Sequence, residues 1–295
     1  MKDYCLRATA ADGRIRAFVA TSRIMVDEAA AIHKTTPVAT AALGRTLTGA
    51  AIMGLMSGND DDNITVSIRG DGPLGGVLAV TDGLGRVRGY VHHPQAHVPN
   101  RPDGKLAVGD GIGRGKLTVS KDVGLKEPYT GTTELTSGEI AEDIAAYFVL
   151  SEQTPSIVSL GVLVDVDHSV KAAGGFFIQL LPGAWGDIID RLEEHIGTFP
   201  PISALLDEGN TPELILDRLL SPFGYEIVES SPIAFYCPCS KERAMGAIIA
   251  MGRQEVLDII NEDAKADIEC HFCLCSYHFD ARDLQKILQQ MGEKS

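Results

Sequence analysis

Five of the six cysteines, Cys237, Cys239, Cys270, Cys273 and Cys275, fall between residues 237 and 295, and Cys5 stands alone. Cys237-Pro238-Cys239 is followed thirty residues later by Cys270-His271-Phe272-Cys273. Two close cysteine pairs joined by an ordered segment are how a chain supplies four thiolates to a tetrahedral zinc ion. Four sulfur ligands leave no open position for water, so a hydrolytic zinc centre is disfavoured. The site is either purely structural or a redox switch. Lys241 and Arg243 follow the first pair and would favour the thiolate, the form that oxidants attack. Each pair is also close enough to form its own disulfide. Metal binding contributes on the order of 10 kcal/mol or more to folding such a site. A core of about 60 residues cannot replace that, so oxidation with loss of metal should unfold the unit. Cys275, two residues past Cys273, reads as a spectator, with substitute ligand or resolving thiol as its other readings. His271 and His278 rank behind the four thiolates as ligands.

The elements that must carry these residues fall into three stretches. Residues 1–181 mix strands and helices. Ile64–Arg69 alternates apolar and polar, and 76–81 and 86–91 flank Asp82-Gly83-Leu84-Gly85 as a hairpin would. Lys116–Val119 is a further short strand. Thr136-Ser137-Gly138-Glu139 has the pattern of a capping box opening a helix with Ile140, Ile144, Tyr147 and Phe148 on its apolar face. Strand character returns over 157–166 and 175–181, and Cys5 fits a first strand as a small apolar residue. The stretch is an α+β domain with a largely antiparallel sheet.

Residues 182–231 read as an amphipathic helical linker. Trp185, Ile188, Ile189, Leu192 and Ile196 form one helical stripe, and Pro200-Pro201 breaks it. Ile202, Leu205 and Leu206 belong to a second helix. Thr211-Pro212 opens a third with Leu214, Ile215, Leu219 and Leu220. Such stripes either pack on the sheet domain or become exposed when a neighbour loosens. Residues 232–295 form the small cysteine-bearing domain, with one or two short helices between the pairs and a last helix capped by Asp280.

Composition narrows the partners. The 295 residues carry 26 Lys and Arg against 40 Asp and Glu, a net charge of −14. That field repels nucleic acid and anionic membrane surfaces. Hydrophobic residues at 44% rule out a disordered chain. The run Val38–Met56 is interrupted by Arg45 and reads as a buried helix, not a membrane span. The first residues lack the apolar core of a secretion signal, so a reducing cytoplasm is the expected compartment. Gly70-Asp71-Gly72-Pro73-Leu74-Gly75 matches GxGxxG letter for letter. A strand follows it, not a helix, so it reads as a hairpin loop. Gly115-Lys116 lacks the Ser or Thr of a P-loop, His92, His93 and His97 read as a surface loop, and no GxSxG or HExxH occurs.

The C-x-C…C-x-x-C arrangement resembles the redox-regulated bacterial chaperone family heat shock protein 33. Further segments agree: 115–122 (GKLTVSKD), 128–131 (PYTG), 138–148 (GEIAEDIAAYF), 151–156 (SEQTPS) and 173–176 (AGGF). The likeness spans the whole chain, which looks like a Bacillus-type member of that family. The resemblance implies no enzyme but an ATP-independent holdase, inactive when reduced with one Zn2+ per chain held by Cys237, Cys239, Cys270 and Cys273. It implies that peroxide or hypochlorous acid, often with heat, closes Cys237–Cys239 and Cys270–Cys273, releases the metal and unfolds the switch domain and linker. Freed apolar surface then binds unfolding client proteins, with a homodimer as the active form. Trp185, Ile188, Ile189, Leu192, Ile196, Leu205, Leu214 and Leu219 are the candidate client surface. Cys275 departs from the family pattern. The competing reading is a structural zinc module serving as a protein-interaction platform; a zinc-dependent enzyme ranks third.

Overall fold

In the computed structural model, which describes residues 2–184 and 186–292, the chain opens with an antiparallel hairpin. Strand β1 (Tyr4–Ala10) pairs with β2 (Ile15–Thr21) in the register Leu6↔Val19. Leu6, Ala8 and Ala10 face one way and Cys5 the other, the period-2 alternation of a strand. Helix α1 (Arg23–His33) follows. Its N-cap Ser22 makes no capping bond and instead contacts Thr48 Oγ1 at 2.7 Å. Asp3 takes over from outside the helix, its carboxylate accepting the Met25 N–H at 2.7 Å.

Helix α2 (Pro37–Ser57) is the buried helix anticipated at 38–56. Among the described residues it is the one helix long and apolar enough to cross a membrane, yet 89% of its most apolar window is buried within the protein. It packs on strands of two sheets. Small residues permit that approach: a Cβ on Gly54 would sit 2.3 Å from the Asp82 carbonyl oxygen. The first of those sheets uses β3 (Asn63–Gly70), β4 (Gly76–Asp82), β5 (Arg86–Val91), β6 (Gly115–Asp122) and β7 (Tyr129–Glu134), with helix α3 (Val108–Ile112) before β6. The GxGxxG letters form the β3–β4 turn, as read from the strand that follows them.

Helix α4 (Ala141–Leu150) corrects the capping-box reading. Thr136 does not cap it. Gly138 and Ile140 both take positive φ, 73° and 70°, and curl the preceding chain around the buried Asp143. Its carboxylate accepts N–H groups from Thr136, Ser137, Gly138 and Ile140 at 2.7–3.3 Å. Glu139 is thereby freed to pair with Arg45 at 2.6 Å.

Strands β8 (Ser156–Val164) and β9 (Val170–Leu180) complete the second sheet. Helices α5 (Gly186–Gly197), α6 (Ile202–Asp207) and α7 (Pro212–Leu220) then cover its outer face. Thr211 caps α7 as expected, accepting the Leu214 N–H. Ile188, Leu192, Ile202, Leu205, Ile215 and Leu219 join Leu6, Ile15, Phe176 and Ile178 in one core. The helical reading of this stretch stops short of 231: Tyr225–Pro232 is strand β10, paired with β1. The apolar pair Ile227-Val228 inside a polar segment favours an extended edge strand over a helix with no apolar stripe. A two-residue strand β11 (Ala234–Phe235) joins β5 in parallel. The sheet orders are β10-β1-β2-β9-β8 and β11-β5-β4-β3-β6-β7, and every strand pairing apart from β11–β5 is antiparallel. The α+β class with antiparallel sheets stands.

The chain divides into two compact units, Met1–Tyr236 and Cys237–Ser295. The stretch 182–231 belongs to the first. So do residues 232–236, which bond to Asp3, Gly85 and Val87 through Ile233, Ala234 and Tyr236. The second unit contains α8 (Lys241–Met251), α9 (Arg253–Glu262), β12 (Lys265–Glu269), β13 (Ser276–Asp280) and α10 (Ala281–Gly292). Asp280 caps α10, accepting the Asp283 N–H at 2.8 Å. The buried residues of this unit are Ala244, Ile248, Val256, Phe279, Leu284 and Ile287.

Candidate metal centre

Two loops of the second unit supply the sulfurs. Cys237 and Cys239 lie between β11 and α8, and Cys270 and Cys273 lie in the connection between β12 and β13. The hairpin register Glu269↔Ser276 brings the ends of that connection together. Its backbone closes on itself: Leu274 donates its N–H to the Cys270 carbonyl at 2.8 Å and Cys270 to the Cys275 carbonyl at 3.0 Å. Leu274 adopts φ 56° to make the turn.

The four Sγ atoms all lie within 4.8 Å of one another. Cys237 and Cys270 are 3.6 Å apart, and Cys239 and Cys273 3.2 Å. A tetrahedron with metal–sulfur bonds of about 2.3 Å has an S···S edge of about 3.8 Å, so the donor set fits one metal ion with only small adjustments. All four side chains are half-buried, whereas Cys275 is exposed and outside the cluster. His278 is engaged elsewhere, with Nδ1 2.7 Å from Asp267 Oδ1. His271 is likewise outside the cluster.

The thiols sit in unequal environments. Burial pushes Cys237 up to about 11. Burial raises Cys273 as well. Burial also acts against Cys239, but hydrogen bonds from Tyr277 and the neighbouring thiols outweigh it and bring that thiol down to about 7. From the sequence, Lys241 and Arg243 are the residues expected to favour the thiolate. Lys241 is committed to Asp283 at 2.7 Å and lies over the Phe279 ring. The bond to sulfur comes from the Tyr277 hydroxyl, 3.0 Å from Cys239 Sγ. Sequence reasoning missed this residue. Its signal was the alternation Ser276-Tyr277-His278-Phe279, which places Tyr277 on the same strand face as the buried Phe279.

The candidate client residues are distributed differently. Ile188, Leu192, Leu205 and Leu219 are buried, and Ile196 packs against the same core. Ile189 is half-buried and Leu214 is 53% exposed. Trp185 lies outside the described residues.

A family model described as "Hsp33 protein" matches residues 3–280. The chain belongs to the Hsp33 family. It is 49% identical to the 33 kDa chaperonin of Desulforamulus reducens, over 100% of both chains. It is also 49% identical to that of Clostridioides difficile, over 99% of this chain and 100% of the relative. The crystal structure of the 33 kDa chaperonin of Thermotoga maritima superposes with a TM-score of 0.91 at 34% identity, covering 99% of this chain and 100% of that one. Hsp33 is a chaperone family, not a family of enzymes, and the match is to the family without singling out a Bacillus type. The metal-competent cluster of this Hsp33 chain consists of the four cysteines whose spacing first drew attention.

Proposed function

We propose that the chain is an ATP-independent holdase whose second unit is a zinc-held redox switch. One observation carries the reading: four thiols from two separate loops converge within 4.8 Å in a unit with a small apolar core. A bound Zn2+ would cross-link loop 237–239 to loop 270–273 and contribute the folding free energy that the core lacks. Cys237, Cys239, Cys270 and Cys273 hold it as thiolates. Oxidation closes Cys237–Cys239 and Cys270–Cys273, and each disulfide passes two electrons to the oxidant. The loops are then no longer tied to each other, and the unit unfolds.

Unfolding extends to residues 182–231, and Ile188, Ile189, Leu192, Ile196, Leu205, Leu214 and Leu219, most of them packed in the first unit until then, become the client surface. Their apolar area binds unfolding proteins by extent and not by shape. The active form is a homodimer, and the compartment is the cytoplasm, where thiols stay reduced until stress. The net charge of −14 keeps nucleic acid and anionic membranes from being partners. The test measures zinc content, free thiols and suppression of client aggregation before and after peroxide with mild heat. Zinc loss, loss of four thiols and gain of holdase activity should coincide. Equal suppression by the reduced, metal-loaded protein would overturn the reading, and zinc retention with one defined partner would favour the interaction-platform alternative.

A further inference from the structure

The four sulfurs share a cluster but not an environment. Tyr277 sits on β13 opposite Ile268 of β12, and its ring packs against the core of the second unit. The ring is thus held in place, and its hydroxyl donates to Cys239 Sγ at 3.0 Å. A donor on a sulfur draws electron density from the lone pair that must attack an oxidant. Thiolate nucleophilicity falls with basicity, and hydrogen bonds to metal-bound sulfur tune such sites. With all four sulfurs ionised as ligands, ionisation no longer distinguishes them; Cys237 and Cys273 face the backbone N–H groups of Cys239 and Cys275, and Cys239 takes a side-chain hydroxyl.

We propose that Tyr277 is a positioning residue that sets the oxidation threshold of the switch: its hydroxyl, held on the Cys239 sulfur, slows the attack of that sulfur on peroxide. The proposal rests on the redox-switch reading above. In the step it restrains, the Cys239 sulfur displaces hydroxide from the peroxide O–O bond to give a sulfenic acid. Sulfur loses two electrons and the peroxide gains them. The Cys237 thiolate then attacks the sulfenic sulfur, the S–S bond forms, and a second hydroxide leaves. Tyr277 gives up no atom. It acts only on the availability of the first lone pair, so removing its hydroxyl should speed oxidation without removing a ligand.

The test uses full-length, reduced, zinc-loaded protein and Tyr277→Phe, which deletes only the hydroxyl. Under excess peroxide, zinc release should be roughly three- to tenfold faster in the variant, the size of a charge-assisted hydrogen bond partly felt at the transition state. Release to a competing chelator without oxidant should be accelerated far less than release under peroxide, because Phe at position 277 leaves all four sulfur ligands in place. In Co(II)-loaded protein the thiolate-to-metal charge-transfer band should move to lower energy. 3-Fluorotyrosine at position 277 is a stronger donor on the same ring and should slow oxidation, the opposite sign. Equal peroxide rates in both proteins, or equal acceleration with peroxide and with chelator, would overturn the proposal. If wild-type protein keeps its zinc under peroxide, the switch reading itself fails, a result distinct from equal rates.

Discussion

The first unit closes around helix α2, buried on nearly every side between two sheets, with Phe18, Tyr147, Phe176 and Phe177 fully enclosed. The second unit buries Ala244, Ile248, Val256, Phe279, Leu284 and Ile287. One region buries a large apolar core, and the other sets a small apolar cluster beside four sulfurs that could hold a metal. The difference locates the sensitivity of the molecule. On the switch reading proposed above, a chelator or an oxidant acts on the second unit and on residues 182–231, while the core around α2 stays folded.

The largest expected effect separates the two regions directly. Stripping the metal under reducing conditions, or replacing Cys237 by Ser, should cost the second unit on the order of 10 kcal/mol. Amide hydrogen exchange should then show 237–292 unprotected with β3, β4 and α2 still protected. Protection that survives in both regions would erase the contrast.

The converse lesion is Gly54→Val. Its Cβ would lie 2.3 Å from the Asp82 carbonyl oxygen and 2.7 Å from Thr81 Oγ1. It should destabilise the first unit by about 3 kcal/mol or more while leaving metal stoichiometry unchanged, read by thermal melting beside metal analysis.

A smaller effect tests the first unit through pH. Burial raises Asp3 to about 6, although the Met25 and Ile24 N–H groups pull it down. A carboxyl raised in the folded state makes that state bind more protons than the unfolded one between about pH 4 and 6. Stability therefore falls as pH rises through this window, by about 1–3 kcal/mol. Asp3→Asn should flatten this slope in a pH series of melting curves, leaving the metal affinity of the second unit alone. The smallest effect is expected from Cys275→Ser. The side chain is exposed and outside the four-sulfur cluster, so zinc stoichiometry should be unchanged by elemental analysis.

The contrast also governs what could be read in advance. The four clustered cysteines were legible because metal chemistry demands cysteines at close spacing. The apolar helix at 37–57, the β3–β4 and β4–β5 turns and the Thr211 cap were legible for the same kind of reason, a local pattern with a local cause. Contacts made at a distance were not. Asp143 gathers four N–H groups because Gly138 and Ile140 turn left-handed, and nothing in Thr136–Glu139 announces that. Asp3 caps a helix that begins twenty residues later. The β12–β13 hairpin lacks a Gly or Asn turn because the cysteine loop takes the turn's place. Tyr277 became recognisable as a partner of sulfur only once that hairpin was in register.

Strand order has a consequence in time. β1 lies between β2 and β10, and its partner Ser231 follows Cys5 by more than two hundred residues. Synthesis at roughly 5–20 residues per second delivers β10 about 10–45 s after β1. Throughout that interval the emerging chain carries an open sheet edge at its own first strand. A member of a chaperone family is thus itself open to edge-to-edge association at its first strand while it is being made, until β10 pairs there and the sheet edge passes to the polar residues of β10.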